Sequence, residues 1–445
     1  MPEKECTPAG EAVVVGAGIA GLLAARVLCG HLRRVTVLER DALPAGPGPR
    51  KGVPQGRHLH SLATRGSGLL EELFPGLDAE LAAAGCPEID QALDAVTALP
   101  AGTLPRFRSG LTMRSVSRDL LEWALRRRLL REGRVRFVEG REATGLVVEG
   151  GRVRGVEARA RGGGGRERFA AGLVVDASGQ GSRAPRWLSA LGYEPPAETV
   201  VDARLGYATR WYRVPEGFSE GWRSLAVLPG WPHNPRGGSL REVEGGRWTV
   251  VLLGIGGDYP PTDPEGFERF ARSLPSPILH RAIAGAEPIS RVYGYRRTAN
   301  RRRHYERARL PEGFLVAGDA FCTLNPSYGT GMTAAALAAR ALEESLRDGG
   351  ARRLGRRFHR RQARAVAAAW RISASSDAQW AAASSVKELG PLRRLAHRVS
   401  EGVLRLATED ERAARRLLEV KNLLAPPQAL LEPGILLPAL RRALG

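Results

Sequence analysis

The sequence predicts a mixed α/β protein in which a Rossmann-like nucleotide-binding domain carries an inserted antiparallel sheet and a helical C-terminal region. Three observations support this fold class. The apolar run AVVV at 12–15 precedes a glycine-rich turn and a helical stretch, which is typical of a buried parallel strand. Longer alternating strands follow over 195–290, and residues 349–445 are rich in alanine, arginine and leucine. We therefore expect two or three structural units in this chain of 445 residues.

Composition and cysteine usage are those of an ordinary globular protein. Hydrophobic residues make up 43% of the chain and charged residues 26%. The N-terminal residues lack a signal-peptide pattern, and no apolar run approaches the roughly 18 residues that cross a bilayer. We therefore predict a protein of the reducing cytoplasm without a membrane span. Neither disulfides nor a metal site is expected, because the four cysteines are scattered, without a CxxC pair: Cys6, Cys29, Cys86 and Cys322.

The formal net charge of +20 comes mainly from arginine. It does not predict nucleic-acid binding, because the sequence contains neither a basic stripe interleaved with aromatic residues nor a known nucleic-acid module. One interpretation is that the composition of the whole chain is biased towards alanine, arginine and glycine. The alternative is a basic face that docks an acidic carrier protein or binds an anionic substrate.

The first predicted unit is a strand, a turn, a helix and a second strand over residues 11–41. The turn contains the GxGxxG glycines, and each has a physical role. Gly16 allows the tight turn, Gly18 lets backbone N–H groups approach a pyrophosphate, and Gly21 lets the helix pack closely on the strand. The second strand ends at Glu39, a carboxylate that would bind a ribose diol. This unit predicts binding of FAD or NAD.

Periodicity predicts the elements that follow. Helices are expected over 61–84 and 117–131, and strands over 134–139, 143–148 and 153–160, with one further strand that follows the glycine tract at 162–165 and ends at 173–175. The tract Gly162–Gly165 predicts a hairpin turn. From Val201 to Trp211 the alternation predicts one half-buried antiparallel strand, and residues 248–255 predict another. Tyr207 and Trp211 lie on the apolar face of the first of these strands, where they would either wall a substrate pocket or fill the core.

A second motif stands near residue 320. Gly318 and Asp319 follow the strand FLVA, and NPSYGTGM at 325–332 precedes a long helix over 332–346. An NAD dehydrogenase has no need of this second element, whereas a flavoprotein uses its aspartate for the ribityl chain and pyrophosphate. The dipole of the following helix would stabilise negative charge on the reduced flavin. Together the two motifs predict FAD as the cofactor.

The pair of motifs, GAGIAG with LER at 38–40 and VAGDAFCTLNPSYGTGM at 316–332, resembles the group A, aromatic-hydroxylase-like FAD-dependent monooxygenase superfamily. The segment RKGVPQGRHLH at 50–60 is similar to the bacterial flavin epoxidases of polyether biosynthesis. This resemblance implies a GR2-type FAD-binding domain with an inserted substrate-binding sheet. The ranges that we assign are 1–95, 110–190 and 291–348 to the FAD-binding domain, 195–290 to the sheet domain and 349–445 to the helical region.

The resemblance also implies a set of cofactor-binding residues. Arg118 would lie near the pyrophosphate or ribityl chain, and Asp319 would bind both. Gln55 and Arg57 would border the flavin. At the AMP half the implied residues are Gly16, Gly18, Gly21, Glu39 and Arg40, and at the isoalloxazine they are Pro326, Gly329, Gly331 and Met332.

One position departs from the family pattern. The Asp-Gly motif of group A hydroxylases is replaced by VDASGQGSR at 175–183, so Ser178 stands before Gly179. The reductant could therefore be NAD(P)H acting directly or a separate flavin reductase. Two other signals are given plain interpretations. His58 and His60 are flavin-side or surface residues rather than metal ligands, and Cys322 is a buried small side chain rather than a reactive thiol.

The predicted function is an FAD-dependent monooxygenase, in the first place an epoxidase. The resemblance implies that a flavin C4a-hydroperoxide transfers one oxygen atom to an alkene or electron-rich carbon of an apolar natural product, as in antibiotic biosynthesis. This chemistry needs no catalytic side chain, and none is assigned. Two alternatives remain: a non-redox [4+2] cyclase with structural FAD, and an FAD-dependent alkene reductase of the geranylgeranyl-reductase kind. A halogenase is disfavoured because its WxWxIP signature is absent.

Overall fold

The computed structural model describes residues 10–349, 353–382 and 390–444. Cys6 lies outside the described residues. In the parts that are described, no helix is long and apolar enough to cross a membrane. These parts also contain no group of histidine, cysteine, aspartate or glutamate residues that could hold a metal ion.

The strands alternate with helices in the first part of the chain and precede the helices of the last part. The strands are β1 (Glu11–Val15), β2 (Arg34–Leu38), β3 (Glu88–Asp90), β4 (Ala95–Leu99), β5 (Gly102–Thr103), β6 (Thr112–Arg114), β7 (Val135–Val138), β8 (Arg141–Glu149), β9 (Arg152–Ala160), β10 (Arg166–Ala170), β11 (Leu173–Asp176), β12 (Glu198–Val201), β13 (Gly206–Arg213), β14 (Ser224–Val227), β15 (Arg236–Val243), β16 (Arg247–Gly254), β17 (Tyr293–Tyr295), β18 (Asn300–Arg303), β19 (Phe314–Val316) and β20 (Cys322–Thr323). The helices are α1 (Ile19–Cys29), α2 (Thr64–Leu73), α3 (Leu77–Ala83), α4 (Arg118–Arg131), α5 (Ala184–Ala190), α6 (Pro264–Arg272), α7 (Ile278–Ala284), α8 (Gly331–Arg347), α9 (Leu354–Ala365), α10 (Ala367–Ala382), α11 (Pro391–Glu409), α12 (Glu411–Lys421) and α13 (Pro433–Leu444).

A parallel sheet forms the nucleotide-binding domain, in the order β19-β11-β1-β2-β7. Apart from the edge strand β7, its strands are short, apolar and largely buried, because α1 and α8 pack on one face and a second cluster of apolar side chains covers the other. Ser117 caps α4 by accepting a hydrogen bond from the Leu120 N–H. The predicted Rossmann-like unit is therefore confirmed. The hairpin turn predicted at Gly162–Gly165 is also confirmed, between the antiparallel strands β9 and β10.

A second sheet, the central sheet, has the order β17-β13-β16-β15-β14-β4-β5. It draws its strands from beyond 195–290, because β4 and β5 come from 95–103 and β17 from 293–295. Its pairings are antiparallel except for β4 with β14, which is parallel. One face packs on α6 and α7 around Trp248 and Phe267. The other face is directed towards the nucleotide-binding domain, where His58 bonds to Thr209 of β13.

The single strand predicted from Val201 to Trp211 was wrong. The chain leaves β12 at Val201 and enters β13 at Gly206, and Arg204 between them has a left-handed φ of 48°. β12 pairs with β18 in another sheet, so the apparent alternation runs across a break. The prediction of a half-buried strand was wrong as well, because α6 and α7 cover the even-numbered face and bury Ala208 and Tyr212.

The C-terminal helices serve the two sheets separately. α9 and α10 pack on the nucleotide-binding domain, where the His359 side chain accepts a hydrogen bond from the Val316 N–H of β19. α11, α12 and α13 share an apolar cluster with Leu99 and Leu104 at the β4–β5 edge of the central sheet. Gly390 stands directly before α11, and Pro426 and Pro427 separate α12 from α13. The helical region is thus part of the core of the protein.

Candidate functional site

A cleft of about 490 Å³ lies at the carboxyl ends of the parallel strands. Residues far apart in the sequence meet there, because the turns after β1, β2, β11 and β19 all open at this edge of the sheet. The cleft extends to the central sheet, where Tyr207 and Tyr295 form its far wall. Such a position at the strand ends of an open parallel sheet is where ligands of α/β proteins bind.

The glycine turn after β1 is shaped by close approaches. Gly16 has φ of +99°, and a Cβ there would lie 2.7 Å from the Ala177 carbonyl oxygen. A Cβ on Gly21 would overlap the Gly16 carbonyl, so α1 can approach β1 only with glycine at this position. At Gly18 a Cβ would meet nothing closer than Arg118 Nη2 at 3.9 Å, so the turn is open on the side of the cleft.

Glu39 is held in a buried ion-pair network. Its carboxylate accepts hydrogen bonds from the Ala17 N–H at 2.9 Å and from Arg50 Nη1 at 3.0 Å. Arg50 also donates to Glu122 at 2.6 Å, and Glu122 in turn pairs with Arg118 at 2.6 Å. All these side chains are largely buried and line or flank the cleft. The network fixes a guanidinium, Arg118, in front of the glycine turn.

The charges of the network govern the ionisation of Glu122. Burial alone would raise the pKa of this carboxyl, but the charges and hydrogen bonds of Arg118 and Arg50 outweigh it and hold the pKa below its ordinary value. Sequence reasoning missed both Arg50 and Glu122. The available signal was weak: Glu122 stands one helical turn after Arg118, and Arg50 belongs to the segment that carried the family resemblance.

Asp319 is the second carboxylate of the cleft. Within the described parts of the chain no hydrogen-bond donor reaches its side chain. Burial raises the pKa of Asp319 to about 6, and only the charge of Arg118 opposes the rise. The turn is fixed by Gly318, with φ of +62°, whose missing Cβ makes room for the Cβ of Ala20 on α1. A partly buried carboxylate without donors calls for a ligand that brings hydroxyl groups.

The loop before α8 is anchored from behind by Asp377 of α10. Its carboxylate accepts hydrogen bonds from the Asn325 side chain at 2.9 Å, from the Tyr328 hydroxyl at 2.8 Å and from the Asn300 side chain at 2.6 Å. Asn325 also caps the turn by accepting from the Ser327 N–H at 3.1 Å. Sequence reasoning missed Asp377, because nothing near α10 marks it as a partner of this loop.

The wall of the cleft at the central sheet is aromatic and uncharged. Tyr207 and Tyr295 stack with centroids 5.2 Å apart, and His58 packs edge-on against Tyr207 at 4.8 Å. His58 Nδ1 lies 2.7 Å from Thr209 Oγ1. Burial, reinforced by the charge of Arg57, lowers the pKa of His58 to about 4. The imidazole is therefore neutral at physiological pH.

Comparison with known proteins identifies the family of this chain. The model of the family described as FAD dependent oxidoreductase matches residues 11–186. Protein Rv3254 of Mycobacterium tuberculosis is 38% identical over 363 residues, which cover 78% of this chain and 75% of that protein. The chain belongs to the FAD-dependent oxidoreductase family.

Solved flavoenzyme structures share the fold of this family member over nearly its whole length. The flavin-dependent brominase Bmp2 has a TM-score of 0.67 at 16% identity, covering 97% of this chain and 98% of its own. The Diels-Alderase PyrE3 has a TM-score of 0.60 at 19% identity, covering 93% of this chain and 80% of its own. At such identities the likeness establishes the fold and leaves the reaction open.

The residues of the cleft fit the FAD that the family implies. The glycine turn is open where a pyrophosphate would lie, and Arg118 supplies a cation beside it. The Asp319 carboxylate has no hydrogen-bond donor in the part of the chain that the structure describes, and the hydroxyl groups of a ribityl chain would supply one. The predicted site residues that line the cleft are Gly16, Gly18, Glu39, Arg40, Gln55, Arg118, Tyr207, Asp319, Pro326, Gly329, Gly331 and Met332. Gly21 lies behind them, in the close helix packing predicted for it.

Besides Gly21, two predicted residues, Arg57 and Trp211, lie outside the cleft lining. The Arg57 guanidinium stands over the Tyr293 ring at 5.0 Å, and its carbonyl accepts a hydrogen bond from Trp211 Nε1 at 2.9 Å. The Arg247 guanidinium also stands over the Trp211 ring, 5.1 Å from its centroid. Arg57 and Trp211 therefore contact each other and do not line the cleft.

The segment at the position of the family's Asp-Gly motif lies at the cleft. Ser178, Gly179 and Gln180 line it, while Asp176 behind them accepts hydrogen bonds from the Ser178 N–H at 3.0 Å and from the Ser182 hydroxyl at 2.5 Å. Cys322 is buried, and burial raises the pKa of its thiol to about 12. The prediction that Cys322 is a buried small side chain is confirmed.

Proposed function

We propose that this FAD-dependent oxidoreductase is a monooxygenase, and specifically an epoxidase, that transfers one oxygen atom from O₂ to an alkene or electron-rich carbon of a small molecule. The observation that carries the proposal is the uncharged aromatic wall of Tyr207 and Tyr295, which His58 supports from behind and which shares the cleft with the loop before α8. Bound FAD supplies the oxygen chemistry. The chain supplies a pocket that admits an apolar carbon and excludes water.

We assign the cofactor-binding roles as follows. The glycine turn and Arg118 bind the pyrophosphate, Glu39 binds the adenosine ribose, and Asp319 binds hydroxyl groups of the ribityl chain. The first N–H groups of α8 face the flavin ring and stabilise negative charge that develops on it. Asp377 does not touch the cofactor but positions the loop through Asn325 and Tyr328.

The neutral histidines support oxygen transfer over acid–base chemistry. Burial lowers the pKa of His58 to about 4 and that of His60 to about 3, so neither donates a proton near neutral pH. An electrophilic oxygen transferred to an alkene requires no protein base, and the side chains of the wall need only hold the substrate and keep water away.

The test is anaerobic reduction of the flavin-loaded protein followed by rapid mixing with oxygen. We expect an absorbing species that is neither reduced nor oxidised flavin, and label from isotopic O₂ in the product when alkene substrates are present. Tyr207→Ala should shorten the lifetime of that species and increase hydrogen peroxide release, because water gains access. Tyr293→Ala is the matched control, since Tyr293 lies under Arg57 away from the cleft lining.

Two outcomes would contradict the proposal. Direct return to oxidised flavin with hydrogen peroxide as the sole product, with alkene substrates present, would favour the reductase or the cyclase. Conversion of a substrate without any reductant would favour the cyclase, in which FAD is structural. The absence of a Tyr207 effect would remove the role that we assign to the aromatic wall.

We further propose that a separate flavin reductase supplies the electrons. Ser178 occupies the place where group A hydroxylases carry an aspartate, and this serine lies at the cleft. NAD(P)H alone should reduce the bound flavin slowly, and addition of a flavin reductase should restore turnover; fast reduction by NAD(P)H alone would refute this. The compartment that we propose is the reducing cytoplasm, because the three described cysteines are free and buried.

A further inference from the structure

Arg241 and Lys421 are two cations that the proposed chemistry does not use. Arg241 lies on β15 with its neighbour Leu240 in the core against α6 and α7, so its side chain is on the opposite face of the central sheet. That face also carries Tyr207 and Thr209 of β13. The arginine therefore belongs to the same surface as the aromatic wall of the cleft.

Arg241 is incompletely satisfied. Its Nη1 donates to the His60 carbonyl at 3.4 Å, and its Nε is buried without a hydrogen-bond partner. No carboxylate of the described residues pairs with it. Burial lowers the pKa of Arg241 to about 10, so it stays charged at neutral pH. A desolvated cation without a counter-charge costs stability, which is tolerable where a ligand completes the pair.

Lys421 is the last residue of α12, and its side chain lies within electrostatic range of Arg241. The next residue, Asn422, accepts hydrogen bonds from the Thr64 N–H at 3.0 Å and from the Thr64 hydroxyl at 3.3 Å, which ties α12 to the start of α2. Lys421 retains exposed surface, yet burial and then the charge of Arg241 lower its pKa to about 8. Thr64 stands four residues after His60, whose carbonyl accepts the hydrogen bond from Arg241, so the end of α12 and Arg241 meet the same short segment of the chain. No described carboxylate pairs with Lys421.

We propose that Arg241 and Lys421 form an anion-binding subsite next to His60, at the border of the cleft, which selects an amphiphilic small molecule with a carboxylate or another oxyanion at one end. The identification of the ligand as substrate rests on the proposed monooxygenase function. Arg241 lies two strands across and four residues along from Tyr207, a Cα separation on the order of 15 Å by standard sheet spacing. The anion would be anchored at one end and the apolar, reacting carbons directed to the aromatic wall.

The test measures binding to the flavin-loaded protein by calorimetry, with decanoate, decyl phosphate and decanamide as probes of equal chain length. We expect one or both anions to bind about tenfold or more tightly than the neutral amide, because a charge-assisted hydrogen bond is lost with the amide. The stronger of the two anions identifies the kind of oxyanion. Arg241→Met and Lys421→Met should each abolish most of this preference and leave the affinity for decanamide unchanged.

A structural role and a ligand-binding role predict opposite effects on stability. Removal of an unpaired buried cation should leave the melting temperature of Arg241→Met unchanged or higher, whereas loss of a structural contact would lower it. Arg223→Gln is the control, because Arg223 is paired at 2.9 Å with Glu242, the neighbour of Arg241 on β15. Equal binding of the anions and the amide by the unaltered protein would overturn the inference. So would an Arg241→Met variant that is destabilised and keeps the preference for anions over the amide. Binding needs no turnover, so either proposal can fail without the other.

Discussion

Replacement of Asp319 by asparagine tests the assignment of the cleft to FAD most directly. The carboxylate has no hydrogen-bond donor among the described residues, and the family implies a cofactor rich in hydroxyl groups. A hydrogen bond to a charged acceptor contributes about 1.5–3 kcal/mol, so Asp319→Asn should weaken FAD binding by about 10- to 100-fold. The side chain keeps its size, so the shape of the turn around Gly318 is retained.

The pH dependence of FAD binding provides a sharper signature. Burial raises the pKa of Asp319 to about 6, so in the protein without FAD this carboxyl is mostly protonated below that pH. Hydroxyl donors favour the ionised form, and binding must then release the proton. The affinity of the unaltered protein should be constant well above pH 6 and fall by about tenfold per pH unit below it. Asp319→Asn cannot titrate, and its affinity should be flat over this range.

The assay is titration of the flavin-free protein with FAD, followed by flavin fluorescence, at intervals between about pH 5 and pH 8. Asp348→Asn is the control, since Asp348 lies at the far end of α8, where it pairs with Arg361. The control should reproduce the affinity and the pH profile of the unaltered protein. The reasoning is refuted if Asp319→Asn binds FAD as tightly as the unaltered protein, or if both lose affinity equally with falling pH.

Three further predictions concern the surroundings of the cleft. Asp377→Asn should weaken FAD binding several-fold and alter the visible circular dichroism of the bound flavin, because two donors of the loop lose a charged acceptor; an unchanged spectrum would contradict the positioning role. Glu122→Gln should lower the free energy of unfolding, measured by urea titration, by about 3 kcal/mol, because it leaves Arg50 and Arg118 short of a counter-charge. The control is Glu80→Gln in the more exposed pair with Arg128, which should lower the free energy of unfolding by less than about 1 kcal/mol. Stability should fall as the pH drops from 6.5 towards 4, by about 3 kcal/mol for His58, because the folded state holds this imidazole neutral and the unfolded state binds the proton. His58→Gln should make this decline shallower.

The sequence predicted those parts of the fold that depend on neighbouring residues. The turn after β1 requires glycine at Gly16 and Gly21 for reasons of local sterics, and both positions are crowded as expected. The turn at Gly318 and the helices that begin at Arg118 and Gly331 also lie where the local sequence predicts them. Because these elements carry most of the cleft lining, the greater part of the candidate cofactor site could be read before its geometry was known.

The features that escaped prediction depend on long-range pairing. β4 joins the central sheet beside β14, a strand more than a hundred residues later, and no local pattern announces that pairing. The break between β12 and β13 was hidden because apolar residues continue to alternate through it. The ion pairs of Arg50 with Glu39 and Glu122, and the hydrogen bonds of Asp377, likewise join segments far apart in sequence.

The fold alone cannot decide the reaction, since a brominase and a Diels-Alderase share it at 16% and 19% identity. The decision lies in the side chains on the open face of the central sheet. Tyr207, with the neutral His58 packed against it, makes one end of that face uncharged, and Arg241 makes the other end cationic. A wholly apolar substrate would leave Arg241 unpaired in the complex, and a highly charged one would have to desolvate against the aromatic wall. The surface therefore favours a molecule that is apolar where it meets the flavin and anionic where it meets Arg241, which refines the apolar substrate expected from the sequence.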